Sequence, residues 1–138
     1  MVDPQSLNEI DVVTRTVYGE ARGESKDGQA AVAWVIRNRA AAGRSYMGRT
    51  IKEVCMKPYQ FSCWDHGDIN RSKLLNLGTN SDEYRRIRQV VKEVLDGARP
   101  DNTRGSTHYH ANYIQPDWTR GKTPTVVIGN HLFYNNID

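Results

Sequence analysis

A chain of 138 residues, 38% hydrophobic and 25% charged, fits one globular domain that buries about two-thirds of its unfolded surface without a staple. Its net charge of +3 comes from scattered Lys and Arg, which permits an anionic partner; no RNA-binding signature, zinc-finger spacing or basic run points to nucleic acid. No apolar run approaches the roughly 18 residues of a membrane span, and MVDPQSLNEI lacks the basic and apolar regions of a signal peptide.

The expectation is therefore a single domain over 1–138, monomeric, with no membrane insertion. Work outside the cytoplasm would need a separate pore, lysis, or an export segment missing from this chain.

The first element is predicted from Ser6-Leu7-Asn8-Glu9, a capping box with Ser6 as N-cap. Leu7, Ile10, Val13 and Val17 then recur at helical spacing, and the pattern stops at Gly19. Glu20 thus falls at or just past the helix C-terminus. A carboxylate there meets the negative end of the helix dipole, unfavourable by about 0.3–1 kcal/mol.

A second helix is predicted from near Asp27, which can cap it, to Gly43, with Ala31, Val32, Val35 and Ile36 as its buried face. Thr50-Ile51-Lys52-Glu53 is another capping-box match and predicts a short helix. KPYQFSCWDHGD reads as a loop rich in aromatics. A third long helix follows Ser81 as N-cap, with Tyr84, Ile87, Val91, Val94 and Leu95 as its apolar face, stopped by Gly97 and Pro100. TPTVVIGNHLFYN predicts two short strands around a Gly129-Asn130 turn. The fold class expected is α+β, a helical body with a small β-hairpin near the C-terminus.

Three groups of residues could carry chemistry. Cleaving a glycosidic bond needs an acid to protonate the leaving oxygen, and hydrolysis usually adds a second carboxylate. Glu20, at the end of an apolar helix, suits the acid; Glu24, after Gly23 and beside Ser25, suits helping to cap the second helix. His108, His110 and His131 would converge as zinc ligands for a wall amidase if the HYH segment paired with the hairpin, since H-x-H on a strand points both rings one way. Against this, compact ligand motifs such as HExxH are absent. Trp64, Tyr109, Tyr113 and Trp118 fall in loop-like segments where rings could stack on sugars, with Gln60, Ser62 and Asn112 to bond hydroxyls or amides. In that third reading the chain is a wall-binding module without catalysis, and Glu20 only caps or pairs.

Cys55 and Cys63 cannot form a metal site alone; a short-loop disulfide and two reduced thiols are both open. No G-x-S-x-G elbow supports a serine hydrolase.

YGEARGE, then GQAAVAWVIRNR, QFSCW, THYHA and IGNHLFY, in that order from Val12 to Tyr134, resemble the SleB/CwlJ family of cell-wall hydrolases. The resemblance implies a lysozyme-like, lytic-transglycosylase-like α+β fold that acts on peptidoglycan glycan strands without a cofactor or metal. It implies cleavage between N-acetylmuramic acid and N-acetylglucosamine, leaving a 1,6-anhydro end. The essential acid of the family's GEARGE block falls on Glu20, with Glu24 in support. Gln60, Ser62, Trp64, Thr107, His108 and Tyr109 would line the cleft. One Glu suffices for that reaction, because the sugar's own 6-hydroxyl is the nucleophile. Family members from spores often carry a signal peptide and a wall-binding domain, which are not seen here and which favours a compact phage-type or remodelling lysin. Ala21 stands where the ES dyad of soluble lytic transglycosylases would place Ser.

Overall fold

A computed structural model describes residues 3–58 and 60–138. Five helices come first: α1 Glu9–Ala21, α2 Lys26–Ala42, α3 Ile51–Met56, α4 Ile69–Asn76 and α5 Asp82–Leu95. Three strands follow, β1 His108–Ala111, β2 Val126–Ile128 and β3 His131–Tyr134, in an antiparallel sheet of order β1-β3-β2.

The helix caps are mostly those the side chains announce. Thr50 accepts from the Glu53 N–H at α3, Ser81 from the Tyr84 N–H at α5, and Gly43 closes α2 with φ +67°. Two caps differ from expectation. Asn8, not Ser6, caps α1, because Ser6 is already the last residue of a short 3-10 turn, Pro4–Ser6. Ser25, not Asp27, caps α2, accepting from the Gly28 N–H at 3.2 Å.

Gly19 does not end α1, which runs two residues further. It is a point of close approach instead: a Cβ there would lie 2.6 Å from the Cβ and 2.8 Å from the Sγ of Cys63. Bare backbone lets the loop after α3 pack directly on the last turn of α1.

The core lies among α1, α2 and α5, with α3 and α4 closing its ends. Val12, Val13, Val17, Val32, Ile36 and Val91 are fully buried. Arg15 is buried with them and serves as a peg. Its Nη1 donates to the carbonyls of Leu74 (2.6 Å) and Leu77 (2.8 Å), satisfying the open C-terminal end of α4, while its Nε pairs with Asp11.

The sheet lies on α2. Phe133 packs on Ala31 and Val35, with Tyr109, Val126 and Ile128 around it. Arg39 of α2, also buried, donates from Nε to the Thr107 carbonyl at 2.6 Å, just before β1. Helical body and sheet are joined at this bond, beside the end of α1 that carries Glu20.

Candidate active site

Glu20 sits in the last turn of α1, partly exposed. Tyr109 of β1 donates its hydroxyl to Glu20 Oε1 at 2.7 Å. Burial first, and then the charge of Glu20, push the Tyr109 phenol well above its ordinary value, so it remains a donor across the neutral range. Burial first, and then the charge of Glu20, push the Cys63 thiol far up as well; its Sγ lies 4.0 Å from the Thr16 carbonyl. The acid is thus fixed by the Tyr109 phenol. Arg22 caps the helix just beyond, its guanidinium over the Tyr18 ring, and supplies the cation that the dipole favours.

Both cysteines are free and buried, and burial raises Cys55 to about 12. Neither is an ionised nucleophile at neutral pH.

Tyr109 is placed by the pleat. Its ring stacks on Phe133 (5.6 Å) and meets His131 edge-on (5.0 Å), and Phe61 closes in at 6.5 Å. The guanidinium of Arg39 lies 4.8 Å from the Phe61 ring and behind this group. Sequence reading passed over Arg39 and Phe61. The one signal was Arg39 falling on the buried stripe of α2, three residues after Ile36.

Glu24 is four residues from Glu20 but engaged elsewhere, with both oxygens on Asn130 at 2.9 Å. Burial pushes its carboxyl up, but the two N–H groups of Asn130 and nearby His131 outweigh this and hold it below the usual range. Ser25, not Glu24, caps α2.

The other expected cleft residues divide. Trp64 is core: it is 8% exposed and donates from Nε1 to Thr16 Oγ1 at 2.8 Å. Its indole spans to α1 because Gly19 lets this loop come close. Ser62 is exposed and Gln60 partly so, on the same loop. Thr107 is buried, its hydroxyl 2.8 Å from His108 Nδ1. Tyr113 is 83% exposed and packs in no core.

Pairing of β1 with β3 separates the histidines. His108 lies opposite Tyr134 and His110 opposite Leu132, whereas His131 lies opposite Ala111. Successive strand residues alternate faces, so His131 points inward with Tyr109, and His108 and His110 point outward. The three imidazoles do not converge as a zinc site. Among the described residues no group of three His, Cys, Asp or Glu is arranged to hold a metal.

A concavity of about 520 Å³ lies near Trp64, Asp65, His66 and Arg71 and does not include Glu20. A smaller one, about 210 Å³, runs past Arg22, Glu24, Lys26 and Arg86.

The family model for cell wall hydrolases matches residues 23–134. The chain belongs to the cell wall hydrolase family. It is 33% identical over 93% of its length to a spore cortex-lytic enzyme of Oceanobacillus iheyensis, covering 42% of that protein. A spore cortex-lytic enzyme of Bacillus subtilis is 27% identical over 93% of the chain, which covers 38% of it. The chain therefore spans about two-fifths of the length of these relatives.

Two solved structures share the fold of this cell wall hydrolase. The catalytic domain of the Bacillus cereus SleB protein has a TM-score of 0.71 at 25% identity, with 91% of this chain and 88% of that one covered. The catalytic domain of the germination-specific lytic transglycosylase SleB from Bacillus anthracis has a TM-score of 0.72 at 27% identity, covering 93% and 94%. The α+β class and the kinship to SleB expected from the sequence both hold. Glu20 lies just ahead of the stretch that the family model matches.

Proposed function

We propose that this cell wall hydrolase cleaves peptidoglycan glycan strands as a lytic transglycosylase, with Glu20 as the single acid and base. The observation that carries the reading is the Tyr109 hydroxyl on Glu20 Oε1 at 2.7 Å: a partly exposed carboxylate fixed in place by a neutral hydroxyl donor.

The chemistry follows from one carboxyl group. Protonated Glu20 gives its proton to the glycosidic oxygen as the bond from the muramic-acid anomeric carbon breaks. The 6-hydroxyl of the same sugar attacks that carbon, and the Glu20 carboxylate takes the hydroxyl proton, restoring the acid. The products are a 1,6-anhydro end and a new 4-hydroxyl on N-acetylglucosamine. Hydrolysis would ask for a second carboxylate across the sugar ring. The adjacent acids serve other purposes: Glu24 holds Asn130, and Asp68 caps α4 by accepting from the Asn70 N–H.

The test is mass spectrometry of soluble fragments from purified peptidoglycan, for the wild type and Glu20→Gln, with and without chelator. The expected outcome is disaccharide-peptides lighter by one water, unchanged by chelator. Glu20→Gln should slow their release by at least about 100-fold, the scale for removing a general acid. Ordinary reducing ends, or a Glu20→Gln variant as fast as wild type, would overturn the reading.

A further inference from the structure

Glu24 lies in the turn between α1 and α2, and its carboxylate reaches across to the turn between β2 and β3. Oε1 accepts from the Asn130 backbone N–H and Oε2 from the Asn130 side-chain amide, each at 2.9 Å. Two glycines make the slot. Gly129 holds φ +57°, and a Cβ on it would collide with Glu24 Oε1; a Cβ on Gly28 would sit 2.9 Å from the Glu24 Cβ. The Asn130 carbonyl accepts from Asn112 N–H at 2.8 Å, so the same turn also fixes the end of β1.

The next residue, His131, is 7% exposed, and its ring meets Tyr109 edge-on at 5.0 Å. Tyr109 in turn donates to Glu20. Sequence neighbours Glu20 and Glu24 are thus linked twice, once through the end of α1 and once through the sheet.

We propose that Glu24 is a positioning residue: by clamping the β2–β3 turn through Asn130 it seats His131 against Tyr109, and so holds Tyr109 on Glu20. This rests on the reading of Glu20 as the reacting acid. Both Glu24 oxygens are already engaged by Asn130, which aims the carboxylate at the β2–β3 turn.

The clamp predicts a specific pattern of rescue. In Glu24→Gln, the amide oxygen still accepts from the Asn130 N–H, and the Asn130 amide can rotate to accept from the new NH2. In Asn130→Asp two carboxylates face each other. Combining Glu24→Gln with Asn130→Asp restores a donor opposite an acceptor.

Turnover of soluble glycan strands, split into kcat and KM, and amide hydrogen exchange at position 130 by NMR would be measured for these variants and Glu24→Ala. Glu24→Gln should keep kcat within about threefold of wild type, with the exchange protection retained. Glu24→Ala and Asn130→Asp should each lose about 10- to 100-fold in kcat, the scale of a displaced catalytic group, with KM little changed and faster exchange. The double variant should recover most of the kcat that Asn130→Asp lost.

Three results would sink the proposal: Glu24→Gln as inactive as Glu20→Gln, which makes Glu24 a proton carrier; Glu24→Ala raising KM at unchanged kcat, which makes it a substrate contact; or a double variant no better than Asn130→Asp. If instead Glu20→Gln stayed active, the transglycosylase reading would fall, while the exchange at position 130 would still show whether the clamp exists.

Discussion

The two faces of the three-stranded sheet use the same residue types, Tyr and His, in different ways. On the inner face Tyr109 and His131 pack with Phe133 against α2, and the Tyr109 hydroxyl is directed at a carboxylate. On the outer face His108, His110 and Tyr134 gather around Trp118, with ring centroids 5.1 to 5.7 Å from the indole. There the Tyr134 hydroxyl meets His110 Nε2 at 2.9 Å, a bond internal to the cluster. The difference comes from what each face packs against. The inner face meets the helical body and the end of α1, while the outer face meets the loop that carries Trp118. The same side-chain types reach the Glu20 carboxylate on one face and form a local aromatic cover on the other.

The sharpest way to break this contrast is Tyr109→Phe. It keeps the ring packing and removes one hydroxyl, so glycan cleavage should fall by about 10- to 100-fold, as for a misplaced catalytic group. The thermal midpoint should stay nearly unchanged. Equal activity would show that the inner face does not serve Glu20.

Trp118→Ala tests the outer face and should cost stability instead. Edge-on contacts with three rings, each worth about 0.5–1.5 kcal/mol beyond burial, suggest a loss of about 1–2 kcal/mol in urea unfolding once the loop relaxes. If the fold is untouched and cleavage collapses, Trp118 belongs to the substrate surface.

The smallest effect concerns acid. Burial, then the charges of Arg39 and Arg44, lower His108 from 6.5 to about 4. Between those values the unfolded chain binds more protons than the folded one. This contribution is complete above pH 6.5 and is lost as pH falls toward about 4. Burial also lowers His131, in the same direction. His108→Gln should therefore shrink, without abolishing, the fall in stability over that pH range in denaturant titrations. An unchanged slope would mean that His108 is solvated rather than enclosed.

Much of the helical body was legible from local signals. Thr50, Ser81 and Gly43 each mark a boundary that the structure keeps, because a cap acts within four residues of chain. The hairpin was legible from Val126–Ile128, Gly129-Asn130 and His131–Tyr134, where turn and strands are contiguous. Helix α4 was not. Its eight residues bury only Leu74 and Leu75, adjacent in sequence, so no helical period shows; the Asp68 cap was its one sign. The burial of Trp64 was hidden for a related reason. An aromatic in a loop looks available, and only the contact with Thr16 through the gap at Gly19 shows it to be core.

The sequence by itself determined the α+β class, four of the five helices, the hairpin and the family, because caps, periods and motif blocks are local and ordered along the chain. Tertiary structure alone decided that Gly19 is a contact and not a terminator, that His131 faces away from His108 and His110, and that Glu20 and Glu24 have separate partners. Each of those depends on groups from distant segments meeting, Glu20 with Tyr109 and Glu24 with Asn130, and on a strand register that pattern alone does not set.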